Sequence, residues 1–304
     1  QSLPPRGRLS LTRGMPLLLI VSFIWAFSPG LTKGLLVGID PGFAAAARIT
    51  LALLVFLPFL RLRGVTVRTG LQFAGIGAVQ FGLMYLTYNE SLLYLQSYEV
   101  ALFTLTTPIF VTLFADALDR TLRGRALLAA LVAIAGAAVV RIRTGLSIES
   151  TVTGIAYIQL GNFAFAVGQV LYRRVRARTP GLRDYQIFGL LYAGALAVTL
   201  PVALAQVDFS TFGLNHRQTI TLLYLGVIAS GLAFFLWNLG ATRVTSGVLA
   251  VMNNVKIPLM VACSLLFFGE SADLPRLLLG GGLMALAVWL AEDRRSFWPQ
   301  KGTK

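Results

Sequence analysis

The sequence predicts an all-α polytopic membrane protein, in which ten transmembrane helices form two inverted five-helix repeats around a central cavity. Composition is the first reason, because 56% of the 304 residues are hydrophobic, only 12% are charged, and the mean hydropathy is +0.75. The second reason is a series of long apolar runs, and the third is an internal repeat. Together these features are typical of a helical bundle that lies in a lipid bilayer.

Each transmembrane helix needs about 20 residues to cross ~30 Å of hydrocarbon. The predicted spans are residues 14–37, 42–60, 69–90, 97–116, 124–141, 151–173, 185–206, 217–241, 246–268 and 275–292. The fifth and the tenth are the shortest, since only residues 126–140 and 277–291 are free of charge there. Two equally short spans at the ends of the two halves support a repeat of five spans.

The repeat is visible at a spacing of 149 residues between residues 82–108 and residues 231–258. The identical pairs are Gly82 and Gly231, Leu83 and Leu232, Asn89 and Asn238, Ser97 and Ser246, and Ala101 and Ala250. Five spans per half is an odd number, so the second half must enter the bilayer from the opposite face. The expected segments are a tail at 1–13, repeats at 14–145 and 146–292, and a second tail at 293–304.

Positive charge sets the predicted orientation. With a cytoplasmic N-terminus, 19 of the 26 lysines and arginines fall on the cytoplasmic side, 4 on the other side and 3 within spans. This excess predicts that both termini are cytoplasmic; the expected membrane is a bacterial inner membrane. It also accounts for the net charge of +14, so we expect contact with the lipid bilayer and no nucleic-acid partner.

Residues that carry catalytic or metal chemistry are scarce. The chain holds 12 acidic residues, one histidine and one cysteine, and no span contains paired carboxylates. These numbers disfavour an enzyme, a metal site and a cofactor. The remaining question is which small molecule crosses the membrane.

A polar and aromatic stripe at helical spacing marks the first and sixth spans. Its members are Ser22, Trp25, Pro29 and Thr32 in one span and Asn162, Phe165, Gln169 and Tyr172 in the other. Such side chains face the protein interior, where they either line a cavity or bond neighbouring helices together. Assigned to substrate binding are Ser22, Trp25, Asn162, Phe165 and Gln169, with Pro29 assigned to a hinge.

The third span carries two further stripes. One consists of Phe81, Tyr85 and Tyr88, and the other of Gln80, Met84, Thr87 and Ser91. The second mixes a flexible thioether with short polar groups, which suits a permissive cavity, although either stripe could instead serve packing. Assigned to substrate binding are Gln80, Met84, Tyr85, Thr87 and, in the eighth span, Trp237.

Lys256 is the most informative charge, because it lies ~15 Å from the end of the ninth span and close to the midplane. An unpaired cation there costs about 3 kcal/mol or more. It should therefore meet a polar group, water or a substrate carboxylate, unless it caps a kinked helix. Asn253 and Asn254 share the span, and all three are assigned to substrate binding. Pro108 and Pro258, at equivalent places in spans four and nine, either allow bending or only shape the helices.

Four charged residues lie near the outer ends of their spans, namely Lys33, Arg48, Glu90 and Glu99. They could pair as a gate on the outer face, or each side chain could reach the membrane interface separately. Assigned to gating or bending are Pro29, Lys33, Glu90, Pro108 and Pro258.

The chain resembles the ten-helix, two-repeat exporters of the EamA type in the drug/metabolite transporter superfamily. The resemblance rests on Trp25-Ala26-Phe27 through Lys33, Phe165-Ala166 through Tyr172-Arg173, Pro108 and Pro258, and Phe268-Gly269-Glu270. The first half departs from the pattern, since Leu118-Asp119-Arg120 stands where a Gly-Glu pair is expected. Within the superfamily the chain is most similar to exporters of aromatic amino acids. The resemblance implies a basket of ten helices with spans five and ten at its periphery, and a central cavity that works by alternating access.

We therefore predict a secondary transporter that exports amino acids, above all aromatic or apolar ones, and related small metabolites from cytoplasm to periplasm. A multidrug or cationic-metabolite exporter is the alternative, but it usually needs a carboxylate near the midplane. A channel is the alternative from another class. Small residues at Ala129, Ala133 and Ala137 permit a weak homodimer as well as a monomer.

Overall fold

The computed structural model describes residues 6–120, 124–141, 148–208 and 212–291. These residues form ten helical rods and contain no strand. The rods are α1 (Arg6–Ala26 and Ser28–Leu35), α2 (Pro41–Phe56), α3 (Val67–Gly77, Ala78–Leu83 and Met84–Tyr94), α4 (Ser97–Phe103 and Thr107–Leu118), α5 (Gly124–Arg141), α6 (Ile148–Arg178), α7 (Asp184–Gln206), α8 (His216–Leu223, Tyr224–Leu232 and Ala233–Ala241), α9 (Ser246–Phe267) and α10 (Leu274–Ala291).

The predicted fold class is confirmed. Six rods, α1, α2, α4, α6, α7 and α8, are long and apolar enough to cross a membrane, and α9 and α10 contain shorter apolar helices. One boundary differs, because α1 begins at Arg6, within the segment 1–13 that was predicted as a tail. A helix can continue beyond the hydrocarbon because its backbone hydrogen bonds do not depend on lipid. Residues 1–5 and the predicted tail 293–304 lie outside the described part of the chain.

Irregular backbone occurs at matching places in the two halves. The segment Ala78–Leu83 of α3 and the segment Tyr224–Leu232 of α8 both have π-helical hydrogen bonding. Leu83 and Leu232 are a pair of the 149-residue repeat, so both segments end at the same repeat position. π-helical turns are frequent at functional sites, and both segments adjoin the cavity described below.

Two helices are broken just before a proline. The break in α1 falls at Phe27, and the break in α4 is a 3₁₀ turn at Thr104–Thr106; Pro29 and Pro108 open the pieces that follow. Proline lacks an N–H and restricts the residue before it, which explains both breaks. By contrast, α9 is continuous past Pro258. The two equivalent prolines therefore have different effects on the backbone.

The packing places a cavity between the central helices. Helices α5 and α10 pack against each other at one edge of the bundle, with α4 as their other main neighbour, as the resemblance implied. The largest buried apolar cluster lies between α1, α2, α3, α6, α7 and α8. Within it, α3 and α7 cross closely at Gly77 and Gly194, where a Cβ would overlap the carbonyl of Leu191 or of Ala74.

Candidate functional site

An internal cavity lies between seven helices that come from both halves of the chain. Its lining residues are Trp25 and Ser28 of α1, Arg48 of α2, Met84, Tyr85 and Tyr88 of α3, Thr104 and Thr107 of α4, Gly161, Asn162 and Phe165 of α6, Phe234 of α8, and Lys256 and Met260 of α9. Rings and thioethers predominate, and the charged groups are two cations. None of the described lining residues is acidic.

Lys256 projects into this cavity from α9 through a cage of aromatic rings. Its Nζ lies 4.7 Å from the ring centroid of Trp25, 5.1 Å from that of Trp237 and 5.4 Å from that of Phe165. The side chain is 7% exposed, and no hydrogen-bond acceptor contacts Nζ among the residues that the structure describes. The electron-rich ring faces attract the ammonium, but its three N–H donors stay available.

The cage is built from both repeats. The ring of Trp25 lies 4.7 Å from Phe234 and 5.1 Å from Trp237, and it meets Phe165 edge-on at 6.4 Å. The indole Nε1 of Trp25 donates to the carbonyl oxygen of Ala229 at 2.8 Å, within the π-helical segment of α8. The irregular backbone of α8 thus fixes the orientation of a ring that lines the cavity.

Arg48 is the second cation of the cavity, and it is 1% exposed. Its guanidinium donates to the hydroxyls of Tyr85 at 2.9 Å, Ser230 at 3.1 Å, Ser28 at 3.3 Å and Thr32 at 3.4 Å. No carboxylate pairs with it among the described residues. Four neutral hydroxyls from three helices therefore solvate the charge without neutralising it.

Of the thirteen residues predicted to bind substrate, six line the cavity. They are Trp25, Met84, Tyr85, Asn162, Phe165 and Lys256. A seventh, Trp237, belongs to the lysine cage. These residues lie on five different helices of both repeats, so the structure brings them to one place.

Three predicted residues are bonded elsewhere. Ser22 donates to the carbonyl of Leu18 one turn earlier, and Thr87 donates to the carbonyls of Leu83 and Met84. Gln80 bonds the amide of Asn238 on α8 at 3.0 Å. Gln80 therefore bonds neighbouring helices together, which is the alternative that the sequence left open, whereas Ser22 and Thr87 bond only the backbone of their own helices.

Three other predicted residues lie outside the lining but have unsatisfied polar atoms. Both amide atoms of Gln169 and of Asn253 are buried without a partner, as is Oδ1 of Asn254. Gln169 is one turn from Phe165 on α6, and Asn253 is one turn from Lys256 on α9. Buried amides without partners are destabilising, so these atoms have hydrogen-bonding capacity that the described contacts do not use.

The residues assigned to gating occupy different places. Pro29 is buried in α1, Glu90 is half-buried on α3, and Pro258 is exposed on α9. Lys33 donates from Nζ to the carbonyls of Leu92 at 2.7 Å and Leu95 at 2.8 Å, at the end of α3.

A carboxylate binds the other side of the same turn. Glu270, just after α9, accepts from the backbone N–H of Ser97 at 2.8 Å and of Tyr98 at 3.0 Å, at the start of α4. A cation at a helix C-terminus and an anion at a helix N-terminus are both favourable. Lys33 of α1 and Glu270 in the segment after α9 thus clamp the α3–α4 turn.

Replacing Glu270 by alanine should lower the thermal stability of the purified protein, because two buried N–H groups at the start of α4 lose their acceptor. We expect a loss of about 2 kcal/mol, measured as a shift of the unfolding midpoint by intrinsic fluorescence. Asp119→Ala is the control, since its ion pair with Arg174 at 2.8 Å is largely exposed and contributes little. Equal shifts in both variants would contradict the clamp.

Arg48 is the main site residue that sequence analysis did not assign. It was expected to reach the interface or to join Glu99 in a gate, and both expectations are wrong. Arg48 lies seven residues inside α2, ~10 Å from its start, where hydroxyls of α1, α3 and α8 surround it. A lone cation in an apolar span is a functional signal by default. The other lining residues not assigned were Ser28, Tyr88, Thr104, Thr107, Gly161, Phe234 and Met260.

Ten helices in two inverted repeats around a polar and aromatic cavity define a membrane transporter of small molecules. The sequence profile of the EamA-like transporter family matches residues 12–142 and again residues 152–292. The chain belongs to this family.

Several proteins that match this chain over nearly its full length are named for a particular substrate. The chain is 42% identical to the "Probable biotin transporter" of Pseudomonas aeruginosa over 278 residues, covering 91% of this chain and 96% of that protein. It is 35% identical to the "Biotin transporter" of Salmonella typhimurium over 284 residues and 34% identical to that of Escherichia coli K12 over 278, covering 91% of this chain and 92% of each relative.

A crystal structure that is 18% identical superposes with a TM-score of 0.62 over 92% of this chain and 97% of the other, which supports the fold alone. The relatives are named for biotin rather than for aromatic amino acids. The narrower resemblance to the aromatic amino-acid exporter YddG therefore stays a prediction.

Proposed function

We propose that this protein carries biotin across the membrane. Biotin combines a carboxylate on a flexible chain, an apolar sulfur-containing ring and a polar urea ring. The observation that carries the proposal is the ammonium of Lys256, which faces the cavity through aromatic rings and has no acceptor among the described residues. The printed names of the relatives suggest the particular molecule.

The energetics of Lys256 favour an anionic substrate. A cation near the bilayer midplane is unfavourable by about 3 kcal/mol or more. Contact with aromatic ring faces stabilises a desolvated ammonium by only about 2 kcal/mol. A substrate carboxylate would supply both the counter-charge and the missing acceptor. The second cation, Arg48, adds to the positive potential of the cavity.

The rest of the lining suits a molecule with an apolar middle. Beside the two cations, the lining includes the rings of Trp25, Phe165 and Phe234 and the thioethers of Met84 and Met260. Methionine adapts its shape to irregular apolar surfaces, and its sulfur makes favourable contacts with aromatic rings. A hydrocarbon chain and a thioether ring match these surfaces.

Export of aromatic or apolar amino acids is the second candidate, because the same rings would accept an aromatic side chain. An amino acid also carries an ammonium, which needs an acceptor and is repelled by two nearby cations. Amide oxygens such as that of Asn162 would have to serve instead of a carboxylate. Cationic drugs meet the same repulsion without the compensating carboxylate.

Movement through the protein would follow alternating access. In this proposal both chain termini are cytoplasmic, and Lys33 and Glu90 control opening of the cavity towards the outer face. Pro29 and Pro108 follow the breaks in α1 and α4, and in this proposal the continuous helix α9 bends at Pro258 when the cavity opens. Gln169, Asn253 and Asn254 line the cytoplasmic half when it opens and then find partners in water or substrate. The carrier works as a monomer or as a weak homodimer.

The test is uptake of labelled biotin into proteoliposomes that contain the purified protein. We expect saturable flux that rises when unlabelled biotin is present on the far side, because a carrier returns faster when loaded. Labelled phenylalanine and tryptophan are measured in parallel, with and without an imposed pH gradient. Flux of the amino acids without flux of biotin would overturn the proposal, and flux that does not saturate would indicate a channel.

A further inference from the structure

The polar groups around Arg48 include several hydrogen-bond donors without an acceptor but few acceptors without a donor. Nη1 makes one bond, at 3.4 Å to Thr32, so its second N–H is uncommitted. The hydroxyl of Ser28 accepts from Arg48 and donates to nothing in the described chain. The hydroxyls of Tyr85 and Ser230 are 2.7 Å apart, so one of them donates its proton to the other. The proton of the accepting hydroxyl remains available to a ligand. The ligand that fits is a strong acceptor without a donor of its own.

Aromatic rings connect this cluster to Lys256 within the same cavity. The ring of Phe234 lies 5.7 Å from Tyr85, on the Arg48 side, and 4.7 Å from Trp25, on the Lys256 side. A continuous row of rings, from Trp25 through Phe234 to Tyr85, therefore connects the two polar groups. A ligand that reaches both must be polar at each end and apolar between them.

We propose that Arg48, Ser28 and Tyr85 form a carbonyl-binding site that holds the urea oxygen of biotin, while Lys256 holds its carboxylate. This assignment rests on the proposed function and gives the orientation of the substrate in the cavity. A urea oxygen is a strong acceptor with two lone pairs and accepts from several donors at once. Arg48 already has four oxygen partners, whereas Lys256 has none, so the carboxylate gains more at Lys256.

The N–H groups of the urea need acceptors, and Asn162 provides one. Its Nδ2 donates to the carbonyl of Phe103 at 2.9 Å and to the hydroxyl of Thr106 at 3.2 Å, which turns Oδ1 the other way. The hydroxyl of Thr107 is a second group on the cavity wall without a bond in the described chain. A urea ring thus finds both donors and acceptors within the same cavity.

The test compares three ligands in binding measurements on the purified protein. Biotin has both polar ends, biotinol lacks the carboxylate, and thiophane valerate lacks the urea ring. Arg48→Met should weaken biotin and biotinol by about 30-fold each and thiophane valerate by less than about threefold. Lys256→Met should show the reverse pattern, with biotin and thiophane valerate weakened and biotinol unchanged.

Two milder variants keep the test decisive if Arg48→Met does not fold. Tyr85→Phe and Ser28→Ala each remove one hydroxyl from the cluster and should weaken biotin and biotinol by about five- to tenfold. Thr50→Ala is the control, because Thr50 lies on the same helix and bonds only the carbonyl of Ala46.

The assignment would be overturned if the Arg48 variant bound thiophane valerate more weakly but bound biotinol with unchanged affinity. That result would place the carboxylate at Arg48. An equal loss for all three ligands would also overturn the assignment, since that pattern marks a structural role. No binding of biotin to the wild type would instead defeat the proposed function itself.

Discussion

Replacing Lys256 by methionine is expected to lower biotin transport, measured as kcat/KM from initial rates in proteoliposomes, by about 100-fold or more. The reason is that a carboxylate bound without its cation becomes an unpaired buried charge, which costs about 3–5 kcal/mol. Each 1.4 kcal/mol is about a factor of ten in rate or affinity. Methionine keeps the length of the side chain and its contact with the rings of Trp25, Trp237 and Phe165.

The same change should not weaken the fold. Removing an unpaired cation from an aromatic cage eliminates a desolvation penalty, so the unfolding midpoint should stay equal or rise. Arg243→Met, at an exposed cation beyond the end of α8, is the control and should transport at the wild-type rate. Wild-type transport by the Lys256 variant would mean that the cage is structural and that the anion binds elsewhere.

Replacing Gly77 by alanine should strongly reduce the amount of folded protein. The added Cβ would overlap the carbonyl carbon and oxygen of Leu191 on α7, and backbone atoms cannot rotate away as a side chain can. Separating α3 from α7 would remove packing from the largest buried cluster. We expect a loss of roughly 3 kcal/mol, measured by the unfolding midpoint and by the monodisperse fraction in size-exclusion chromatography.

Gly75→Ala is the matched control, two residues away on α3. A Cβ there has no atom within 4 Å, and alanine is a better helix former than glycine by about 1 kcal/mol. It should therefore be neutral or slightly stabilising. If Gly77→Ala were as stable as Gly75→Ala, the close crossing of α3 and α7 would not be required for folding.

The fold was largely predictable because the bilayer imposes a strict length and apolarity on each helix. All ten predicted spans correspond to rods that begin and end within a few residues of the expected places, apart from the start of α1 at Arg6. The repeat also has a structural counterpart, since Gly82 and Gly231 lie within the π-helical segments of the two halves. Helical periodicity also identified which faces turn inward.

The site was only partly predictable, because periodicity identifies a face but not its partner. Ser22 and Trp25 share one face of α1, yet Ser22 bonds its own helix while Trp25 lines the cavity. Lys256 stood out because its depth could be counted from the end of its span. Arg48 was misread because its surroundings are hydroxyls from three other helices, which are distant in sequence.

Sequence alone determined the number of helices, the inverted repeat and the presence of a deep lysine, because hydropathy, residue counts and spacing are properties of the chain itself. Tertiary structure alone decided that Lys256 and Arg48 face one cavity and that no described acidic residue lines it. It also decided that a row of aromatic rings connects the two cations. The physical reason is that the charge and the lining of a cavity depend on how helices from both halves pack together. The sequence of a single helix does not contain this information.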